Sequence, residues 1–137
     1  QAADVAHIGD GEFRLVRRLH QGGYTFIFRA QKKITKHLKA SRLDHQVGIR
    51  FSPQPLMRRF LEAHGGPALG SHVDSSMIPD HPEGLPIWAG LIDDTFGGEF
   101  ALVIDPGEVE FLGQTTVVDM SEGAPLLVRE GRGPWPL

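Results

Sequence analysis

Two β-branched, apolar runs near the C-terminus restrict this chain more than any other feature. Thr115-Thr116-Val117-Val118-Asp119 and Pro125-Leu126-Leu127-Val128-Arg129-Glu130-Gly131 flank the short segment Ser121-Glu122-Gly123-Ala124, the pattern of a β-hairpin around a glycine-containing turn. The hairpin commits the fold to a sheet, and its polar positions carry a second message. Thr115, Thr116 and Arg129 stand where a core strand would be apolar, so the hairpin is expected to present two hydroxyls and one fixed cation to a ligand. Packing alone is the competing reading for the threonines, which are common in strands. A buried Arg129 would be costly unless paired. Its neighbour Glu130 points to the other face of a strand, so an anionic ligand or a distant carboxylate is expected to meet it.

The rest of the chain alternates helices and strands. From Asp10, a candidate N-cap, Phe13, Val16 and Leu19 have helical spacing, and Gln21-Gly22-Gly23 ends the run. Residues 24–29 predict a strand with Tyr24, Phe26 and Phe28 on one face; Thr25 alternates away from it. Residues 31–41 predict one short, basic helical turn, and residues 46–51 a second strand that ends near Arg50. Ser52-Pro53 is expected to open a helix carrying Leu56, Met57, Phe60 and Leu61, closed by Gly65-Gly66. An arginine beside a helix N-terminus favours anions, whereas a surface ion pair is the bland alternative for Arg50. A strand over 68–73, an irregular loop over 74–84, a helix opened by Pro86 with Ile87, Trp88, Leu91 and Ile92, a buried strand over 100–104 and a turn at Asp105-Pro106-Gly107 complete the expected order. The class that results is α/β with a mixed sheet flanked by helices, in one domain spanning 1–137.

Composition excludes several functions. With 137 residues, 40% hydrophobic and 23% charged, the chain falls among globular proteins. A formal charge of −3 argues against non-specific nucleic-acid binding, which needs an excess of Lys and Arg. There is no cysteine, hence no disulfide or thiolate metal site. No apolar run reaches the ~18 residues of a membrane span, no signal-peptide pattern opens the chain, and a cytoplasmic setting is expected. His64, His72 and His81, with Asp74 and Asp80, share one window, but no HExxH or comparable ligand spacing appears, so no metal site is expected. A nucleophile elbow and a Walker-type phosphate loop are both missing from the sequence.

The motifs also fall in the order of a known family. Gly22-Gly23-Tyr24-Thr25-Phe26-Ile27, Val47-Gly48-Ile49-Arg50, Pro55-Leu56 with the helix to Gly66-Pro67, Val103-Ile104-Asp105, Thr115-Thr116-Val117-Val118-Asp119 and Arg129-Glu130-Gly131 together resemble the YrdC/YciO family, closer to its YciO branch. The final pair of motifs is the most specific. The resemblance implies a twisted mixed sheet flanked by helices, with a concave, electropositive nucleotide site. It further implies condensation of L-threonine, bicarbonate and ATP into threonylcarbamoyl-AMP, which feeds threonylcarbamoyladenosine modification of tRNA. By carry-over, Thr25 would line the pocket shared by threonine and nucleotide. Thr115 and Thr116 would bond substrate or phosphate oxygens, Ser71 would add a hydroxyl, and Arg50 and Arg129 would neutralise anions. Mg²⁺ would accompany ATP, held mainly by phosphates. No catalytic residue is singled out.

Three departures accompany the resemblance. The family's N-terminal strand-turn and cationic element are not found in this sequence, and residues outside it, a partner chain or a second copy are expected to cover the sheet edge they would occupy. The Ser-x-Asn motif aligns with His72-Val73-Asp74, placing a carboxylate where a triphosphate would be repelled. The Pro-Gly-Pro lead is Gln21-Gly22-Gly23. Three functions stay open: a synthase; a nucleotide- or double-stranded-RNA-binding module without turnover, using Lys32, Lys33, Lys36, Lys39 and Arg42; and a structural component of a larger complex.

Overall fold

The computed structural model describes residues 2–20, 22–35, 45–108, 110 and 112–136. Two compact units emerge, one formed by 1–67 with 112–137, the other by 68–111.

The first unit is built on a five-stranded mixed sheet. Its centre is β2 (Tyr24–Ala30), whose alternation buries Tyr24, Phe26, Phe28 and Ala30 and turns Thr25, Ile27 and Arg29 to the other face. β3 (Gln46–Arg50) pairs antiparallel along one flank, with Thr25 opposite Arg50 and Phe26 opposite Ile49. β4 (Thr116–Asp119) runs parallel to β2, with Thr25 opposite Val117 and Phe26 opposite Val118. β5 (Leu126–Arg129) returns antiparallel to β4, with Arg129 opposite Val117 and an irregularity in register beside it. The expected hairpin is therefore present. Arg29 faces Gln46 on the β3 flank and His7 of β1 (Ala6–His7) on the other, beyond the end of β4.

One face of this sheet is the core. Phe26, Phe28 and Val118 are inaccessible, with Tyr24, Met120, Ala6 and Val16 nearly so. The rings of Tyr24 and Phe26 stack at 5.8 Å, and Phe28 follows at 6.3 Å, so β2 lays a continuous aromatic spine under α2 (Asp10–Leu19). That helix starts one residue earlier than expected. Gly9 is the N-cap, and its N–H is taken by the Glu12 carboxylate reaching back, so Asp10 is already helical. Its buried stripe also differs: Val16 is buried and Leu15 and Leu19 pack on the core, whereas Phe13 is 56% exposed.

α4 (Pro55–His64) is capped by Gln54, whose side chain accepts from Met57 N at 3.2 Å, with Pro55 in the first turn. The Ser52-Pro53 start is corrected by two residues. Gly65, at φ 81°, closes the helix in the left-handed region as expected. Leu56, Met57 and Phe60 stay 39–43% exposed, as do Leu126 and Val128 on β5 to a greater degree. α1 (Ala2–Val5) and α3 (Lys32–Thr35) are single turns; Lys36, Lys39 and Arg42 lie outside the described residues, as does Gln21.

The second unit has little regular structure. A 3₁₀ turn, Ser75–Met77, and α5 (Ala89–Phe96), continued by a 3₁₀ turn over Gly97–Glu99, are its elements. Trp88 is the N-cap of α5, so Pro86 and Ile87 precede the helix rather than open it. The strands expected over 68–73 and 100–104 do not form among the described residues. Leu102 is 70% exposed; an apolar run becomes a strand only where a neighbouring strand accepts its hydrogen bonds. The Asp105-Pro106-Gly107 turn is present, with Gly107 N donating to Asp105 Oδ1 at 2.8 Å. No helix among the described residues is long and apolar enough to cross a membrane.

Candidate functional site

The sheet face opposite the core brings most of the sequence-predicted residues together. Across three strand spacings the register runs Arg50, Thr25, Val117, Arg129. Directly paired residues share a face, so the two arginines bracket Thr25 on one rung, about 14 Å apart at the backbone. Gly48, next to Arg50's neighbour on β3, has only the Thr25 methyl group near its missing side chain, at 3.7 Å, which keeps the face open beside Thr25.

Thr115 organises this rung. Its hydroxyl lies 2.8 Å from that of Thr25, and its carbonyl accepts from Arg129 Nη2 at 2.9 Å. Thr115 is itself buried, Thr25 is half-buried, and Arg50 and Arg129 are exposed. The expectation that Arg129 is buried is thus corrected: β5 is the last strand in the sheet order, its arginine reaches solvent, and the partner that steadies it is a backbone carbonyl instead of a carboxylate. Only Nη2 is engaged with Thr115, on its carbonyl and at 3.5 Å on its hydroxyl, which leaves the other donors of the guanidinium for a planar or tetrahedral anion.

Thr116 is a different case. It lies on the core face at 0% exposure. Its hydroxyl donates to Gly133 O at 2.6 Å and accepts from Gly131 N at 3.0 Å. Both functions of the hydroxyl are used to hold the C-terminal tail, so the structure removes Thr116 from the ligand-facing set. Gly131 has the same purpose: a Cβ there would stand 2.5 Å from Gln114 O and from the Thr115 carbonyl carbon. The Arg-Glu-Gly motif is therefore one cation plus one close backbone approach.

Ser71 lies in the second unit, exposed in an irregular segment. Asp74, in the same unit, caps the 3₁₀ turn. Its carboxylate accepts from the Ser76 hydroxyl and from Ser76 N at 2.9 Å. Those two bonds, the hydroxyl's first, hold the carboxyl below its ordinary 3.8. A folded value below the unfolded one adds stability above the unfolded pKa that is lost as pH falls through the folded value. Replacing Ser76 by alanine should raise the Asp74 midpoint toward its ordinary value in an NMR titration; an unmoved midpoint would contradict this origin. Among the described residues no three His, Asp or Glu side chains converge as a metal would require.

A cavity of about 420 Å³ lies at the other end of β2, lined by His7, Gly9, Glu12, Arg29 and Ser121 among others. Its charged groups are already engaged: Glu12 with Gly9 N, and Arg29 with Glu122 and Ser121 O, both at 3.0 Å. On the threonine–arginine rung, by contrast, Arg129 is held by a backbone carbonyl and not by a carboxylate.

Known proteins resemble this chain in sequence or in fold. An uncharacterized protein of Haemophilus influenzae is 32% identical over 135 residues, 97% of this chain and 62% of its own length. The uncharacterized protein YciO of Escherichia coli K12 is 32% identical over 126 residues, 88% of this chain and 56% of its own length. The crystal structure of E. coli YciO superimposes with a TM-score of 0.77 at 28% identity, covering 98% of this chain and 63% of that one. P. abyssi Sua5 complexed with L-threonine shares the fold, with a TM-score of 0.72 at 23% identity over 95% of this chain and 37% of that one. The chain thus spans 56–62% of the length of the curated relatives it matches. The family model for Sua5, YciO and YrdC, described as telomere recombination, matches residues 1–131, and with that match the chain belongs to the Sua5/YciO/YrdC family.

Proposed function

We propose that this chain contributes a nucleotide- and threonine-binding face to a threonylcarbamoyl-AMP synthase. The observation that carries the reading is the rung on which exposed Arg50 and Arg129 bracket Thr25, with Thr115 fixing both Thr25 and Arg129. Family membership and the L-threonine bound by the P. abyssi Sua5 that shares the fold support it.

In the proposed reaction the threonine amine attacks bicarbonate carbon and water leaves, giving a carbamate. A carbamate oxygen then attacks the α-phosphorus of ATP. The bond to the bridging oxygen breaks, and pyrophosphate departs with the electron pair. Such a displacement depends on positioning and on neutralising charge, for which two arginines and an oriented hydroxyl are suited. Mg²⁺ would sit on the triphosphate, since it is commonly held through substrate phosphates. Ser71 remains a candidate hydroxyl through the resemblance. The exposed apolar side chains of α4 and β5 fit cover by polypeptide corresponding to the part of the relatives that this chain does not span. A cytoplasmic setting belongs to the same proposal.

Calorimetric titration with ATP, with and without L-threonine and bicarbonate, tests it. Arg129→Ala should weaken ATP binding by about 10- to 100-fold, because a hydrogen bond to a charged group contributes about 1.5–3 kcal/mol, while the melting temperature stays near that of the parent. Binding equal in both proteins would remove Arg129 from the site. Threonine-dependent pyrophosphate release separates a synthase from a module that binds nucleotide without turnover. The RNA-binding alternative predicts instead a steep salt dependence that weakens on neutralising Lys32 and Lys33.

A further inference from the structure

Arg132 lies outside every motif of the sequence. Its backbone N–H donates to Gln114 O at 2.9 Å, which fixes the tail beside the start of β4. From there its side chain is laid over Gly23: a Cβ built at Gly23 would stand 2.1 Å from Arg132 Cγ and 2.8 Å from its Nε. Gly23 has no left-handed φ, so glycine is needed there for space alone. A residue is left without a side chain so that an arginine stem can cross it.

The stem ends in an unusual group. Among the described residues Arg132 Nε is buried without a hydrogen-bond partner. Among the described residues no carboxylate pairs with its guanidinium, whereas Arg29 has Glu122. Buried donors in native proteins nearly always meet an acceptor, and an arginine keeps its charge at any working pH. Its position is equally telling. Gly23 lies two residues before Thr25, and Gly23 O accepts from Thr116 N at 2.7 Å. Arg129 bonds the Thr115 carbonyl, and the backbone of Arg132 bonds Gln114, one residue earlier. The two arginines thus come from the same tail, one anchored at Thr115 and the other at Gln114 and over Gly23.

We infer that Arg132 is a third cation of the ligand face, its guanidinium taking an oxyanion of the ligand that Thr25 and Arg129 bind. The inference rests on the nucleotide-and-threonine reading proposed above. An ATP phosphate and the carboxylate of L-threonine share the chemistry this fork accepts.

Separate titrations with ATP and with L-threonine decide between those sources. Arg132→Ala should weaken one of the two ligands tenfold or more, and the ligand affected names the oxyanion. Arg132→Lys keeps the charge but lacks the fork, and should recover only part of the loss. Gly23→Ala leaves the guanidinium in place chemically but displaces its stem, and should reproduce the loss. Melting curves accompany each variant; should Arg132→Ala fail to fold, the lysine variant decides. If Arg132→Ala and Gly23→Ala bind both ligands like the parent while Arg129→Ala has lost binding, Arg132 is not part of the site and a water satisfies Nε. The nucleotide reading would then stand alone. Should the parent bind neither ligand, both fall together.

Discussion

Replacing Phe26 by alanine is expected to lower stability by about 3–5 kcal/mol, a fifth or more of the roughly 5–15 kcal/mol that holds a domain folded. Phe26 is inaccessible at the centre of β2. It stands between the rings of Tyr24 and Phe28 and opposite Ile49 and Val118 on the two flanking strands. Four neighbours on three strands cannot all close on the space a ring leaves, so a cavity term adds to the lost transfer energy. Urea denaturation should show the midpoint falling at nearly constant slope. Phe13→Ala is the control: at 56% exposure it should change stability by no more than about 0.5 kcal/mol. Comparable losses at the two positions would overturn the placement of the core on the β2 face.

The contrast between those phenylalanines shows where sequence reading succeeds. In β2 the period of two is strict over Tyr24, Phe26 and Phe28, and nothing but a strand puts three aromatics on one face. The hairpin and the Gly65 stop were legible for the same reason, since both are local signals. In α2 the spacing 13, 16, 19 and the stripe 15, 16, 19 differ by one position, and only packing chooses between them. The α2 cap is hidden because the residue acting is not at the cap: Gly9 has no side chain, and Glu12 supplies the oxygen from three residues on. Residues 100–104 are apolar enough for a strand, but apolarity reports a wish for burial, whereas a strand requires a partner whose identity lies elsewhere in the chain.

The site divides along the same line. Thr25, Arg50, Thr115 and Arg129 were visible as residue types at strand ends, each on weak local grounds. That Arg50 and Arg129 share a rung with Thr25 follows from the register of four strands, which no local pattern contains. Arg129 was expected to be buried because its strand is apolar; β5 being the last strand of the sheet reverses that. Arg132 left no signal except a glycine at position 23, and a glycine next to a turn has a simpler explanation until the structure shows what crosses it.

Two adjacent threonines supply the sharpest separation of fold from function. Thr116→Val keeps the shape and removes both bonds of a hydroxyl at 0% exposure, leaving Gly131 N and Gly133 O unpaired. Each such group costs about 1–3 kcal/mol, so a loss of roughly 2–6 kcal/mol is expected, with ATP affinity intact at temperatures where the variant is folded. Thr116→Ser, which preserves the hydroxyl, should recover most of it. Thr115→Val removes the hydroxyl pair with Thr25 and a long contact from Arg129 Nη2 to the same hydroxyl at 3.5 Å, and keeps the carbonyl that holds Arg129; its stability should fall by about 0.5–1.5 kcal/mol. Ligand affinity should nevertheless drop, because Thr25 loses the bond that orients it. Melting curves and ATP titrations on the two variants therefore predict opposite orders of severity. A Thr116→Val protein that is stable but cannot bind, beside a Thr115→Val protein that binds but melts early, would mean that the two side chains occupy the reverse faces, and the rung of Arg50, Thr25 and Arg129 would lose its claim to the ligand.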